Sequence, residues 1–244
     1  MASLLVPFLV SSGSVSPSRF TFAARAAKAI TAGRVHIQPN FLSATELDQA
    51  QAAVAELQAL HGHGKAAVVG GTTLDRRVRD TLALDLLTDA VWRTLPLPLL
   101  QLVGVIDSMR SVLATECKRP LDGNAELQLL HYHPGGFYAR HVDDGIGTAE
   151  RPVRRSISLL LYLTPTDWHA ERDGGCLRVF ERERAPRDLP PTAGTLVLFD
   201  SASVPHEVMA THRERRVLVG WLCEQRATGE TSETKLIKEQ ARAG

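Results

Sequence analysis

Two regimes of hydrophobic spacing divide this chain, and they meet near Gly123. Before that point apolar residues recur at helical intervals. Ser43-Ala44-Thr45-Glu46 has the spacing of a capping box, in which a serine and a glutamate three residues on bond each other's backbone amides. Leu47, Ala50, Val54, Leu57 and Leu60 follow on one helical face, which ends near His61-Gly62. A second periodic run, Leu99, Leu102, Ile106, Met109 and Leu113, lies between the Pro96/Pro98 pair and the stop signals Pro120 and Gly123. Beyond Gly123 the segments 127–133, 156–163, 176–180, 195–199 and 215–223 are short β-prone runs separated by Gly, Pro and Asp clusters. Helices followed only by strands predict a mainly β chain, a sandwich or barrel buttressed by N-terminal helices. The Gly-rich stretch from His61 to Thr73 reads as a mobile loop, a candidate lid together with the arginines after it.

Composition narrows the class. The 28 Lys and Arg against 27 Asp and Glu leave a net charge of +1, so the chain lacks the basic surplus of a protein held on nucleic acid or anionic membrane. No run in the sequence reads as a membrane span. Cys117, Cys176 and Cys223 form no CxxC pair and no disulfide framework, which favours an intracellular, reducing compartment. No Asp or Glu precedes Glu46, while serines and the basic residues Arg19, Arg25, Lys28 and Arg34 do. That is the composition of a chloroplast or mitochondrial transit peptide; the alternative is an unaddressed leader on a cytoplasmic protein. The expected division is a leader over 1–34, a helical support region over 35–120, a β domain over 121–224 and a polar tail over 225–244.

The chemistry gathers in the β region. His141 and Asp143 stand two apart, so on a strand both side chains point to one face and can reach one metal. An HxD pair alone is weak evidence. Pro205-His206 adds a second histidine, and Arg215, nine residues later, opens an alternating strand that shares its face with Val217, Val219 and Trp221. A guanidinium on an otherwise apolar face needs a buried partner. That partner is either an acidic side chain or the carboxylate of a small cosubstrate, gripped bidentately. In the strand Ser156 to Leu163, Ser156, Ser158, Leu160 and Tyr162 share a face, and the Tyr162 hydroxyl also needs a partner if buried. Two histidines and one carboxylate on a β scaffold match the facial triad of non-haem Fe(II) oxygenases, which leaves the opposite face of the metal open.

The segment Tyr132-His133-Pro134-Gly135-Gly136-Phe137-Tyr138-Ala139-Arg140-His141-Val142-Asp143 resembles the iron-site motif of the 2-oxoglutarate-dependent prolyl 4-hydroxylases. LLLYLTPTDW (159–168), DGGCLRVF (173–180), LVLFDSASVPHEV (196–208) and RRVLVGWL (215–222) are similar to the members that act on hypoxia-inducible factor. The resemblance covers about residues 125–224. It implies a double-stranded β-helix, or jelly roll, with Fe(II) held by His141, Asp143 and His206. It implies 2-oxoglutarate as cosubstrate, with Arg215 on the C5 carboxylate, Tyr162 assisting, Tyr132 lining the pocket and Leu177 behind the Gly174-Gly175 turn. Dioxygen, ascorbate and a proline-containing protein or peptide substrate follow from the same likeness, with Tyr138, Trp221, Arg155 and Arg79 as candidates for the substrate pocket.

The chain departs from that pattern in three places. The Tyr132–His141 loop is one residue shorter, Leu198-Phe199-Asp200-Ser201 replaces an aromatic and Trp-Ser sequence, and the N-terminal half matches faintly, around 75–80. Rival readings are weaker. His131-Tyr132-His133 has the HxH of a cupin site but no glutamate in the residues that follow, and nucleic-acid demethylases carry a second arginine where Trp221 stands. Asp143 argues against a halogenase, which lacks the carboxylate ligand. An oxygenase acting on another residue or small molecule, and a non-catalytic binding domain derived from one, are the remaining alternatives.

Overall fold

The computed structural model describes residues 17–62, 64–65, 78–144 and 153–225. A 3-10 turn (Pro17–Phe20) precedes α1 (Ala23–Thr31), β1 (His36–Gln38) and α2 (Ala44–His61). Three short strands follow, β2 (Gly64–Lys65), β3 (Arg79–Asp80) and β4 (Leu82–Asp85), then α3 (Asp89–Trp92) and α4 (Leu97–Cys117). The second half holds β5 (Leu121–Tyr132), β6 (Phe137–His141), β7 (Val153–Tyr162), α5 (Ala170–Asp173), β8 (Leu177–Val179), β9 (Arg187–Leu189), β10 (Leu196–Asp200), β11 (His206–Val208) and β12 (Arg215–Gln225). These strands make two antiparallel sheets, one of seven in the order β1-β10-β7-β12-β5-β4-β2 and one of five in the order β3-β6-β11-β8-β9. Two facing sheets with helices on the back of the larger one form a buttressed jelly roll.

The apolar runs on β7 and β12 follow from this layering, because both faces of the large sheet are covered. Ile157, Leu159, Leu161, Leu218 and Leu222 pack with α1, α2 and α4. Leu160, Tyr162, Val217, Val219 and Trp221 turn instead toward the small sheet and its Leu177, Val179 and Val208. The capping box forms as the spacing predicts, with Ser43 accepting from the Glu46 amide and Glu46 accepting from the Ser43 amide. At the end of α2, Gly62 adopts φ 64, and α4 closes on Lys118 in the left-handed region, two residues before Pro120.

Four expectations are corrected. Residues 17–34 do not stand outside the fold: Phe20, Phe22, Ala23, Ala26 and Ile30 are buried in the helical core, and α1 packs there against α4. Their basic, serine-containing and acid-free composition reads as a leader, yet the alanines of α1 are also what allows a helix to lie close against its neighbours. The 35–120 region is not purely helical, since β1 pairs with β10, β4 with β5 and β3 with β6. Strands of two to four residues are too short to show a period. β5 begins at Leu121, so Gly123 lies within a strand and is not its boundary. Finally, α4 is long and apolar enough to cross a membrane by length and composition. In this fold it buries Leu99, Leu102, Val103, Ile106, Met109 and Leu113 in the core beneath the large sheet.

Of the anticipated 61–73 loop, His61 closes α2 and Gly64–Lys65 pairs with β4. The rest of that loop, residues 1–16 of the leader and the tail from 226 lie outside the described residues. All three cysteines are free.

Candidate active site and metal centre

The site sits between the sheets, at one end of the small one. β6 ends on His141 and β11 begins on His206, and the antiparallel register sets these two residues opposite each other. Asp143 follows β6, its amide donating to the Ser201 carbonyl at 3.0 Å. The ligand atoms of His141, Asp143 and His206 all lie within 4.8 Å of one another. Nε2 of His141 is 3.5 Å from one carboxylate oxygen of Asp143, and Nε2 of His206 is 3.7 Å from the other.

Backbone carbonyls decide the tautomers. Nδ1 of His141 faces the Ala139 carbonyl at 2.8 Å, and Nδ1 of His206 faces that of Val204 at 3.1 Å. A carbonyl can only accept, so each Nδ1 carries the proton and each Nε2 lone pair is left for a metal. Burial lowers the pKa of His206, which keeps the ring neutral. Burial alone would raise Asp143, but the imidazoles of His206 and His141 and the Ser158 hydroxyl outweigh it and hold the carboxyl well below its usual range. Two imidazoles that present their Nε2 atoms beside a carboxylate are a donor set suited to Fe(II).

A hydroxyl pair fixes the carboxylate. Ser158 donates to Asp143 at 2.7 Å, and its oxygen lies 2.8 Å from that of Ser201. Ser201 was not among the sequence candidates, and the hydroxyl face of the 156–162 strand was the only hint of Ser158. Ser158→Ala is expected to weaken Fe(II) binding by about 10-fold, the low end for loss of a group that orients a metal ligand. Competition against a chromophoric chelator would measure this, with Ser158→Thr restoring most of the affinity.

Arg215, the first residue of β12, is 0% exposed. Its Nε donates to the Gly175 carbonyl at 2.9 Å, while Nη1 and Nη2 have no hydrogen-bond partner. Its guanidinium carbon lies 4.9 Å from the Tyr132 ring centre and 5.2 Å from that of Tyr162, whose hydroxyl is also buried without a partner. Burial pushes the Tyr162 phenol up to about 12 against the opposing charge of Arg215, so it remains a proton donor. Three orphaned donors in one buried spot fit one arm of a dicarboxylate. Gly175 makes room for this: at φ +69, a Cβ there would sit 3.0 Å from Cδ of Arg215. Leu177 lies in the inter-sheet core with Tyr132 and Tyr162, behind that turn.

A cavity opens from the triad to solvent, and Tyr132, Tyr138, Trp221, Arg155 and Arg79 all line it. Arg155 stacks on Trp221 at 3.6 Å and is held by Glu126 through two bonds of 2.6 and 3.3 Å. Gln128, Leu130 and Val208 complete the wall without having been named from the sequence, together with Leu160 and Val219, which were read there only as sharing a face with Tyr162 and Arg215. Each shares a strand face with a residue singled out there, so alternation through Tyr132, Tyr162 and Arg215 was the available signal for most of them. His131 and His133 lie apart from the triad, near Glu214 and Asp80.

A jelly roll with this triad and a buried arginine beside it defines the 2-oxoglutarate- and Fe(II)-dependent oxygenase class, and residues 127–223 match the family model of the 2OG-Fe(II) oxygenase superfamily. Over those residues the chain is similar to the 2OG-Fe(II) oxygenase superfamily, and prolyl hydroxylases are among its relatives and structural neighbours. It is 27% identical over 175 residues to Egl nine homolog 1 of Rattus norvegicus, covering 68% of this chain and 49% of that one. The chain thus spans about half the length of this curated relative. A prolyl-4-hydroxylase structure from Pseudomonas putida shares 28% identity at a TM-score of 0.70, over 84% of this chain and all of the other. The prolyl hydroxylase of Trichoplax adhaerens, solved with a hypoxia-inducible-factor peptide fragment, has the same fold, with a TM-score of 0.70 at 18% identity over 95% of this chain and 98% of that one.

Proposed function

We propose that this protein hydroxylates a peptidyl proline at C4 while 2-oxoglutarate is decarboxylated to succinate. The observation that carries the reading is the trio of orphaned donors, Arg215 Nη1, Arg215 Nη2 and the Tyr162 hydroxyl, buried beside a two-histidine, one-carboxylate triad. Bound Fe(II), with 2-oxoglutarate and dioxygen, supplies the oxidising power for a C–H bond. The protein's own residues do the rest. His141, Asp143 and His206 hold the metal on one side, and Arg215 and Tyr162 anchor the C5 carboxylate so that the 2-oxo acid end reaches the metal. Leu130, Leu160, Val219 and Trp221 offer an apolar wall for a pyrrolidine ring and exclude water around it.

Support for proline comes from the Pseudomonas putida and Trichoplax adhaerens enzymes, and for a peptide from the latter. Ascorbate belongs to the same proposal, as the reductant that would keep the iron ferrous. The test is incubation in air with Fe(II), 2-oxoglutarate, ascorbate and a panel of proline peptides. Succinate release together with one added oxygen on proline is expected; 2-oxoglutarate turnover that no proline peptide stimulates would refute the proline assignment.

A further inference from the structure

We propose that Arg79 binds a carboxylate of the substrate, so that the peptide taken by this cavity carries an acidic group next to the residue that is oxidised. The inference rests on the peptide-hydroxylase reading above and deepens it.

Arg79 lies on β3 and pairs across the sheet with Tyr138. It lines the same cavity as the triad, yet the residue is only 5% exposed. Its Nε is buried without a hydrogen-bond partner. Its one contact of note among the described residues is the Tyr138 ring, whose centre lies 4.6 Å from the guanidinium carbon. An aromatic face offsets part of the cost of burying a cation, but it satisfies none of the N–H donors. A buried guanidinium with no anion beside it is an incomplete site.

The acidic groups nearby are committed elsewhere. Asp80 faces His133 at 3.3 Å, Asp143 belongs to the triad and accepts from Ser158, and Glu126 pairs with Arg155 at 2.6 Å. The cavity's cations therefore differ in kind. Arg155 has both an anion and an aromatic face, whereas among the described residues Arg79 has only the face. An incoming carboxylate finds an unpartnered donor at Arg79, its buried Nε.

The geometry also says which residue supplies it. His141 stacks on Tyr138, with ring centres 3.6 Å apart and planes 20° apart. One ring face accommodates one stacked plane, so Arg79 occupies the other face and Tyr138 stands between it and the metal ligand. A carboxylate on Arg79 is thus separated from the metal by at least the thickness of an aromatic ring. It belongs to a neighbour of the oxidised residue, or to a chain terminus just beyond it. Bidentate pairing there would also orient the peptide, since a guanidinium fork fixes direction as well as position.

The experiment separates this proposal from the reading beneath it. Labelled proline peptides differing only in Asp against Asn beside the proline, and in a free against an amidated C-terminus, are bound to the Fe(II)- and 2-oxoglutarate-loaded protein without oxygen. Fluorescence anisotropy then gives their affinities. The same peptides are assayed in air for added oxygen. We expect the carboxylate form to bind about 10-fold or more tighter than its amide partner, below the range for truncating a fully buried charge pair. In Arg79→Gln the ratio should fall to near one, in Arg79→Lys it should persist in part, and Arg79→Glu should favour a Lys peptide. Which arm shows the preference, Asp or terminus, names the source of the carboxylate. Equal affinities in the wild type, or a preference that survives in Arg79→Gln, would overturn the Arg79 assignment even if proline is hydroxylated. An Arg79-dependent preference with no proline hydroxylation would sustain it and overturn the proline reading. Absence of peptide binding would overturn both.

Discussion

Replacing Arg215 with alanine is expected to weaken 2-oxoglutarate binding by roughly 30-fold to several thousand-fold, the range for truncating one side of a buried, hydrogen-bonded charge pair (about 2–5 kcal/mol). The cosubstrate's C5 carboxylate would be left with the Tyr162 hydroxyl as donor and no compensating charge. Fe(II) affinity measured without cosubstrate should hardly change, because the triad lies on β6, the segment after it and β11, away from the start of β12. Arg215→Lys should recover part of the affinity, since an ammonium keeps the charge and loses the fork. Stability supplies the control. Both terminal nitrogens of Arg215 lack a partner, so the protein without 2-oxoglutarate has little pairing energy to lose there. Titration calorimetry and a thermal melt on one preparation decide between roles. A lowered Tm with unaltered 2-oxoglutarate affinity would make Arg215 a structural residue and remove it from the cosubstrate site.

His206→Ala should abolish turnover and weaken Fe(II) binding by more than about 100-fold, beyond the usual loss when only an outer-sphere partner of a ligand is removed. The ring is buried and lies between those of His141 at 4.3 Å and Phe199 at 4.8 Å, tilted by 56° and 60° to them. Removing it leaves a gap at the mouth of the inter-sheet core, so a modest drop in Tm is expected while the β-sheet signal in circular dichroism is kept. Chelator competition reads the metal term and succinate release reads turnover. Near wild-type turnover at limiting iron would refute the ligand assignment.

Much of this site is legible along the chain because its parts are locally encoded. The HxD spacing of His141 and Asp143 puts two ligands on one side of an extended segment. The alternation from Arg215 through Val217, Val219 and Trp221 correctly sets a charge on an apolar face that the structure shows to be fully covered. The capping box announces α2, and the prolines and glycines that frame 97–117 announce α4. The elements that escaped include strands with too few residues to show a period, such as β1, β3, β4, β9 and β11, and α1, whose basic residues and lack of acids also suit a leader. The Arg155–Trp221–Glu126 clamp escaped for a different reason. It depends on Trp221 lying opposite Glu126 and Cys223 opposite Arg155 in a register that shifts between Leu222 and Cys223, and no local signal carries a bulge of that kind.

By itself, the sequence determined which residues could do chemistry and toward which face of its own strand each points, since side-chain direction follows from backbone period alone. Tertiary structure alone decided which of those faces meet. His206 becomes a partner of His141 only because β11 lies between β6 and β8. Ser158 and Ser201 reach Asp143 because β7 and β10 are neighbours in the opposite sheet. Arg79 joins the cavity because a two-residue strand, far from the triad in sequence, pairs with Tyr138. Such contacts are set by long-range strand pairing, whose register is stabilised by burying both faces of the large sheet together, and no window along the chain contains that term.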